Sequence, residues 1–396
     1  DDMLSFEELS FALLQSRLPQ YLKLGGDDPM KAPLLILGVL LFFMGLWIAV
    51  RPGTNTSESS EKNPKSTFAI IKDHVKGLKN TVPTRKVLLS YEGNLVDVPI
   101  PRNRDGSPAV PRAILVDADS AKILFEYNGN TPGELASVTK LMLMYYIQHL
   151  ADSGVMSFSD TVAVTDEAPL MGGSQAYLDR GERYTIDELL KAIAIGSAND
   201  AAYLMAQYLG SGSVITTVRN MNKLARDLGL TRTRFYNVHG LPPTRGAGKL
   251  AVEDGIIVQR YKRRDIVVAT KPNIGTASDI AKLSIAYLQF DDALKWTASR
   301  RDSVWDVDRA RQGGPYMLNT HFKILGKKGI DGLKTGYTAK SGWCVAATAS
   351  RDGRRLVAVV LNAKTQDQRD QFAEKMLDKG WEYLGLPEDT CSTGIR

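Results

Sequence analysis

A serine and a lysine stand among the apolar residues of one segment in the middle of the chain. Ser137 and Lys140 lie in "GELASVTKLMLMYYIQ", which begins at Gly133. At helical spacing the two side chains share a face, and a buried lysine favours the neutral form that can take the proton of a serine nucleophile. The pair is also compatible with an N-cap serine and a lysine that reaches solvent. This segment alone favours the second interpretation.

Two later motifs favour the first interpretation, in which Ser137 is a nucleophile. "SAND" holds Ser197 and Asn199 in a break between two helical runs, where a loop can direct a hydroxyl and an amide into a cleft. "GLKTGYT" places Lys334, Thr335 and Gly336 just before the turn and paired strands of the C-terminal part. A helix cap and a solvated strand end are the structural alternatives. Ser-x-Asn and Lys-Thr-Gly each occur once, and they follow Ser-x-x-Lys in the order expected for penicillin-interacting serine enzymes.

Strand patterns occupy both ends of the region that carries these motifs, and helical patterns occupy its middle. The strand patterns cover residues 113–128, 342–350 and 355–363. The helical patterns begin near Ser137, Thr185, Ser213 and Thr365, and Thr185 and Thr365 each open a capping box. This order predicts an α+β fold, with an antiparallel sheet and segregated helices.

Composition limits the possible functions. The chain has 396 residues, of which 43% are apolar and 24% charged, as is ordinary for a globular protein. Its net charge of +6 fits attraction to anionic surfaces, but no zinc-finger spacing or aromatic–basic repeat supports nucleic-acid binding. The 2 cysteines and 4 scattered histidines give neither a disulfide framework nor a HExxH pair. We therefore predict no metal, no cofactor and no nucleic-acid partner.

The N-terminal part is predicted to hold a membrane anchor. Residues 32–50, "APLLILGVLLFFMGLWIAV", are uncharged throughout, and their length suits one transmembrane helix. A cleaved signal peptide fits less well, because no small-x-small site follows, and the charges on the two sides do not give an orientation. Residues 1–31 form a short N-terminal segment. Residues 51–110 hold a linker and a poorly defined segment, in which 86–100 is compatible with a hairpin.

The motifs and the sequence around them resemble the D-alanyl-D-alanine carboxypeptidase family, the low-molecular-mass penicillin-binding proteins. The likeness includes "GGSQAYLDRGERYTIDELLKAIAIGSAND", "MNKLARDLGLTRTRFYNVHGL" and "GLKTGYTAKSGWCVAATAS". It covers about residues 112–386. The resemblance implies a β-lactamase/transpeptidase-like catalytic domain over 111–387, followed by a tail at 388–396.

The resemblance also implies a role for each motif residue. Ser137 would be the acylated nucleophile and Lys140 its general base. Ser197 would take part in proton transfer, and Asn199 would contact the substrate amide. Lys334 would supply positive charge that keeps the base neutral and helps to bind substrate. No Ser-His-Asp triad is expected, because the lysine already fills the base role.

Further residues are expected to bind the substrate at the end of the Lys-Thr-Gly strand. Thr335 would contact the terminal carboxylate, with Gly336 and Tyr337 beside it. The backbone N–H groups of Ser137 and Tyr337 would form the oxyanion hole. Arg369 lies where the family often has an arginine for the same carboxylate.

The chain departs from the family pattern in several places. Leu135 stands where a proline usually precedes the Ala-Ser pair. Residues 241–275 form an insert that is longer than the family norm and carries a basic run at 260–264. A solvated surface hairpin would explain it, as would a contact with an anionic wall polymer or a partner. The second β domain and C-terminal anchor of some members are expected to be absent, so residues 32–50 would take over anchoring.

The sequence thus predicts a bacterial serine D,D-carboxypeptidase, held in the plasma membrane by one helix, with its catalytic domain on the extracytoplasmic side. It would cleave the D-Ala-D-Ala end of a peptidoglycan stem peptide, release D-alanine and hydrolyse an acyl-enzyme, and β-lactams would acylate Ser137. A D,D-endopeptidase that acts on cross-links shares the same motifs. A β-lactamase fits less well, because no Glu-x-x-Leu-Asn segment is found. A non-catalytic wall-binding scaffold would be expected to lose Ser137, Lys140 or Lys334, and all three are present.

Overall fold

The computed structural model describes residues 85–242, 249–253, 256–261, 264–269, 271–308 and 314–386. The predicted segment 1–31, the predicted anchor 32–50 and the tail 388–396 lie outside these residues. Within the described ranges, no helix combines the length and the apolar character needed to cross a bilayer. The membrane anchor therefore stays a prediction.

Five antiparallel strands form the central sheet. They are β1 (Arg112–Asp117), β2 (Lys122–Tyr127), β12 (Ile330–Thr338), β13 (Gly342–Arg351) and β14 (Arg354–Ala363), in the order β12–β13–β14–β1–β2. The strands predicted at the two ends of the domain meet in one sheet because β1 pairs with β14. In the part of the chain that is described, β12 is an edge strand, so its outer side has no strand partner.

The two faces of this sheet are buried against different helices. Val357 and Val359 of β14 belong to the large helical core, whereas Ala358 and Val360 pack with the C-terminal helix α7 (Gln366–Tyr383). Successive side chains of a strand point to opposite faces, so a strand that is covered on both sides has a continuous apolar sequence. The run "LVAVVL" in β14 is such a sequence. Helices therefore cover both faces of the sheet, with α7 on one face and the large helical core on the other.

The remaining helices lie between β2 and β12 in the chain. They are α1 (Lys140–Asp152), α2 (Ile186–Ala194), α3 (Asn199–Leu209), α4 (Val214–Asp227), α5 (Ala277–Tyr287) and α6 (Ala293–Thr297). The predicted helix caps form, since the Thr185 hydroxyl accepts the N–H of Glu188 at 3.1 Å and the Thr365 hydroxyl accepts that of Gln368 at 3.1 Å. The predicted α+β architecture, with its antiparallel sheet, is confirmed.

Short strands complete the fold around these elements. They are β3 (Gly133–Glu134) with β9 (Ile274–Gly275), β4 (Thr161–Ala163) with β5 (Arg183–Thr185), and β10 (Arg301–Val304) with β11 (Tyr316–Asn319). The insert at 241–275 forms an antiparallel three-stranded sheet instead of a hairpin. Its strands are β6 (Lys249–Glu253), β7 (Ile256–Tyr261) and β8 (Arg264–Ala269). In the described part of the insert, this sheet has one strand more than a hairpin. Contact of the insert with a polymer or partner stays a prediction.

The stretch 86–100 does not form the hairpin that its sequence allows. Ser90 pairs with Lys122 of β2 in a parallel bridge, and the N–H of Leu95 donates to the Leu124 carbonyl at 2.8 Å. Val96 is buried in the apolar cluster that includes α7. The stretch follows β2 because its apolar side chains gain burial there, whereas an isolated two-stranded hairpin is marginal in water.

Candidate active site

The serine and the lysine of the first motif face each other at the head of α1. Ser137 lies in a 3-10 turn, Ala136–Thr139, directly before α1, so it is not in the first turn of an α-helix as the sequence suggested. The chain enters this turn through Ala136, whose φ is +46°. Lys140 donates from Nζ to the Ser137 hydroxyl at 3.0 Å and is fully buried. The alternative of a lysine that reaches solvent is therefore wrong.

Three oxygen atoms from three separate parts of the chain surround the Lys140 amine. Besides the Ser137 hydroxyl, they are Asn199 Oδ1 at 2.7 Å and the His239 carbonyl at 2.8 Å. Burial lowers the pKa of Lys140 well below its usual value, and the nearby charge of Lys334 lowers it further, whereas Asp200 raises it. A neutral amine can donate two of these hydrogen bonds and accept the serine proton with its lone pair. The arrangement suits a general base.

The Ser-x-Asn motif joins α2 to α3 and carries two of the predicted site residues. Ser197 has a φ of +55°, a left-handed conformation that costs free energy in a residue with a side chain and that clusters at functional sites. Asn199 is the first residue of α3. Its Oδ1 accepts from Lys140, and its Nδ2 donates to the Gly172 carbonyl at 2.7 Å. The Asn199 amide is thus held from both ends.

A second buried lysine lies opposite the first, on the edge strand β12. Lys334 is 2% exposed and donates from Nζ to the Ser197 hydroxyl at 3.0 Å and to the Thr335 carbonyl at 3.1 Å. Burial, together with the charge of Arg369, lowers the pKa of Lys334 to about 7. The three motifs therefore converge, because Lys140 reaches Asn199 while Lys334 reaches Ser197.

Glycine allows the edge strand to lie directly against the serine turn. A Cβ atom at Gly336 would lie 2.8 Å from the backbone nitrogen of Ser137 and 2.9 Å from that of Val138. Tyr337 follows on the same strand, is 50% exposed and stacks on Trp343 with ring centroids 4.1 Å apart. This closeness fits the predicted oxyanion hole, whose donors come from the turn and from β12.

Comparisons with known proteins show the family of the chain. The family model described as D-alanyl-D-alanine carboxypeptidase matches residues 105–365, well over half of the chain. The chain belongs to this family. Among curated members, it is 34% identical over 266 residues to the D-alanyl-D-alanine carboxypeptidase DacF of Bacillus subtilis, covering 67% of this chain and 60% of that protein. It is 29% identical over 277 residues to DacC of Escherichia coli, covering 68% of this chain and 61% of that protein.

Solved structures of related proteins show the same fold. Penicillin-binding protein D2 of Listeria monocytogenes, in an ampicillin-bound form, matches with a TM-score of 0.55 and 24% identity, covering 69% of this chain and 98% of that one. A point mutant of the Streptomyces K15 DD-transpeptidase matches with a TM-score of 0.58 and 21% identity, covering 70% of this chain and 99% of that one. The chain spans about 60% of the length of the curated relatives named above.

Arg369, which the family resemblance points to as a carboxylate ligand, is buried in this carboxypeptidase-family chain. It is 1% exposed and pairs with Asp370 at 2.6 Å. Its guanidinium also lies over the Trp343 ring, 5.7 Å from the centroid. Arg369 acts on the site through its charge, which lowers the pKa of Lys334. Direct contact with a substrate carboxylate stays a prediction.

His239 contributes to the family site in a way that the sequence did not indicate. Its backbone carbonyl accepts from Lys140, while its ring Nδ1 accepts the N–H of Leu241 at 3.1 Å. Burial lowers the pKa of the imidazole to about 3, so the ring is neutral. Any residue type can supply a backbone carbonyl, so the identity of residue 239 does not predict this contact. The residue that could have predicted it is the glycine that follows. Gly240 has a φ of +85°, and a Cβ there would lie only 1.9 Å from the Ala136 carbonyl.

Asp200 has a structural role beside the site. Its Oδ1 accepts the N–H of Ala176 at 3.0 Å, and its Oδ2 accepts that of Leu178 at 3.1 Å. Burial raises the pKa of this carboxyl, although the backbone N–H groups oppose that effect. Asp200 is thus bound to the loop at 176–178, and His239 is bound to Leu241. Neither contact is that of a Ser-His-Asp triad.

A separate cavity lies at the other end of α1. It has a volume of about 990 Å³, and its walls include Tyr145, His149 and Phe290. None of the predicted site residues lines it. The converging motifs therefore mark the candidate active site, and the cavity does not.

Proposed function

We propose that the chain is a serine-type D-Ala-D-Ala carboxypeptidase that removes the terminal D-alanine from peptidoglycan stem peptides. The observation that carries this proposal is the hydrogen bond of 3.0 Å between the fully buried Lys140 amine and the Ser137 hydroxyl. Burial lowers the pKa of Lys140 and so favours the neutral amine, and the structure places this amine on a serine. The names of the family and of its curated members support the same reaction.

Acylation follows from the contacts of Ser137. Its Oγ attacks the carbonyl carbon of the penultimate D-alanine, and the Oγ proton passes to Lys140 Nζ. The negative charge that develops on the carbonyl oxygen is stabilised by the N–H groups of Ser137 and Tyr337. The C–N bond then breaks, and the departing amine of D-alanine receives a proton by way of the Ser197 hydroxyl. That proton is the one that Lys140 took from Ser137, and Lys334, which donates to the Ser197 hydroxyl at 3.0 Å, holds this hydroxyl in place.

Deacylation uses the same groups in the reverse direction. A water molecule attacks the ester carbon and gives its proton to Lys140, which is neutral again, and Lys140 passes this proton to the Ser137 oxygen as the C–O bond breaks. The acyl peptide leaves as a free acid. We assign Lys334 and Thr335 to the binding of the substrate's terminal carboxylate. The charge of Arg369 adds to theirs. β-Lactams would acylate Ser137 in the same way, because they mimic an acyl-D-Ala-D-Ala end.

The location of the enzyme is part of the proposal. We infer that residues 32–50 anchor the chain in the bacterial plasma membrane and that the catalytic domain lies on the extracytoplasmic side, where stem peptides are found. The uncharged apolar segment supports this inference. Protease added to intact spheroplasts should digest the catalytic domain. Protection of that domain until the cells are lysed would contradict the inference.

The full chain in detergent provides the decisive test of activity. Wild type should bind fluorescent penicillin covalently and release D-alanine from a pentapeptide stem, and Ser137→Ala should do neither. Ser59→Ala is a matched control, because Ser59 and Lys62 form a second Ser-x-x-Lys match in a polar stretch. Equal labelling of Ser137→Ala and wild type would refute the mechanism. Cleavage of cross-linked dimers without release of D-alanine would instead identify an endopeptidase.

A further inference from the structure

One exposed tyrosine near the site is held in a strained conformation. Tyr177 has a φ of +54° and is 57% exposed. A bulky residue with a side chain pays a conformational cost in the left-handed region, and such residues persist where the surrounding structure imposes them, often at functional sites. A ring that is 57% exposed gains little from burial in the core.

Asp200 imposes the strain on the backbone around Tyr177. Its two carboxylate oxygens accept the N–H groups on either side of the tyrosine, from Ala176 at 3.0 Å and from Leu178 at 3.1 Å. The side chains of Ala176 and Leu178 are both buried. With its two neighbours fixed inward, the Tyr177 ring is turned towards solvent.

The loop that carries Tyr177 is attached to the catalytic machinery. Asn199, which accepts from Lys140, donates through Nδ2 to the Gly172 carbonyl at 2.7 Å and through its backbone N–H to the Ser174 carbonyl at 2.7 Å. The loop at 172–178 is therefore fixed beside the Asn199 side of the site.

A second aromatic ring supports Tyr177 from the strand β11. Tyr177 and Tyr316 meet edge to face, with ring centroids 5.1 Å apart. Leu318 on the same strand lies against Gly196, where a Cβ would be 2.8 Å from Leu318 Cδ2. Gly196 immediately precedes Ser197, so the aromatic pair and the Ser-x-Asn loop belong to one wall.

We propose that Tyr177, supported by Tyr316, is a subsite for the stem peptide on the acyl side of the bond that is cleaved. This inference rests on the proposed function. Lys334 and Thr335 account for the carboxylate of the departing D-alanine, whereas the Tyr177 loop is hydrogen-bonded to Asn199. An aromatic face suits the aliphatic portion and the backbone of a peptide. The subsite thus selects substrates by the length of the peptide before the D-Ala-D-Ala end.

Two substitutions separate the ring from the strain. Tyr177→Asn removes the ring and places a residue that tolerates the left-handed region, and Tyr177→Phe keeps both the ring and the strain. We expect Tyr177→Asn to melt at the same temperature as wild type or higher. Its kcat/KM for a pentapeptide stem should fall about tenfold, as loss of a stacked aromatic contact implies, and its kcat/KM for N-acetyl-D-Ala-D-Ala should change less than about twofold. Tyr177→Phe should match wild type on both substrates.

Binding measured without turnover keeps the two proposals distinguishable. In a Ser137→Ala background, Tyr177→Asn should weaken the affinity for the pentapeptide about tenfold and leave that for the short substrate unchanged. Equal losses on both substrates, or no loss on either, would overturn the subsite. If wild type releases no D-alanine, the carboxypeptidase proposal fails, and the binding result still decides the subsite.

Discussion

The two buried lysines of the site differ in how they are held. The Lys140 amine lies within hydrogen-bond distance of three oxygen atoms, which come from the 3-10 turn, from α3 and from the His239 loop. Lys334 donates to the Ser197 hydroxyl and to the carbonyl of its own neighbour, Thr335. The first amine is enclosed by fixed oxygen atoms, whereas the second has, among the described residues, one hydrogen-bond partner from outside its own strand. This difference suits Lys140 as a base in a fixed position and Lys334 as a charged group that can change its hydrogen bonds to bind a ligand.

Electrostatics separates the two lysines further. Burial is the main cause of the lowered pKa of each, but the additional like charge comes from Lys334 for Lys140 and from Arg369 for Lys334. Positive charge is thus arranged in a series, Arg369, Lys334 and Lys140, in which each member disfavours a proton on the next. A bound carboxylate would restore the proton of Lys334, which in turn would keep Lys140 neutral. Substrate binding and activation of the base are coupled in this way.

The largest effect should come from removing the base. Lys140→Met retains an apolar side chain of similar length in a buried position, and we expect acylation by penicillin and by peptide to fall about 10² to 10⁴-fold, the usual contribution of a general base. Stopped-flow or gel measurement of the rate of penicillin labelling checks this result. Lys62→Met, in the second Ser-x-x-Lys match, is the control and should behave as wild type. A labelling rate within a few fold of wild type would show that another group takes the proton.

Removing the other lysine should have a smaller and more selective effect. Lys334→Met loses charge-assisted hydrogen bonds to the substrate carboxylate, which corresponds to about 10 to 10²-fold in kcat/KM for a pentapeptide with a free C-terminus. The same peptide as a C-terminal methyl ester lacks the carboxylate charge, so the substitution should affect it much less. Equal losses for acid and ester would mean that Lys334 acts through Ser197 or Lys140 and not through the carboxylate.

The pH dependence should distinguish the two lysines in the wild-type enzyme. Lys334 is charged below its pKa of about 7 and loses its proton as the pH rises through that value. The kcat/KM for the free-acid peptide, which reports on the free enzyme, should therefore fall above about pH 7, by up to about tenfold per pH unit. The methyl ester should not show this alkaline decrease. An identical decrease for both substrates would assign it to another group.

The sequence predicted the members of the site better than their arrangement. Ser137, Lys140, Ser197, Asn199 and Lys334 were named from the motifs and the family resemblance, and the structure brings their polar atoms together. The sheet and most helices were also predictable, because short apolar runs between turn residues and capping residues are local signals. The 3-10 turn at Ser137, the burial of Arg369 and the third strand of the insert depend on tertiary packing. The His239 carbonyl was missed because any residue can supply a backbone oxygen.

The smallest effect concerns the loop that presents this carbonyl to Lys140. Asn237 Oδ1 accepts the N–H groups of His239 at 3.2 Å and of Gly240 at 2.6 Å, and Asn237 Nδ2 donates to the Leu241 carbonyl at 3.0 Å. Asn237→Ala should let the carbonyl shift and lower the acylation rate about 3 to 10-fold, with a loss of about 1–3 kcal/mol in stability from the unpaired groups.

Comparison of the acylation rate with the substrate affinity shows whether Asn237→Ala acts on the base or on substrate binding. Because the carbonyl touches the base and not the substrate, kcat for acylation should fall, while the affinity of a Ser137→Ala, Asn237→Ala protein for the pentapeptide should match that of Ser137→Ala alone. The alkaline decrease above about pH 7 comes from Lys334, which Asn237 does not contact, so it should stay unchanged in Asn237→Ala. An unchanged acylation rate would show that the other two oxygen atoms suffice to hold the base.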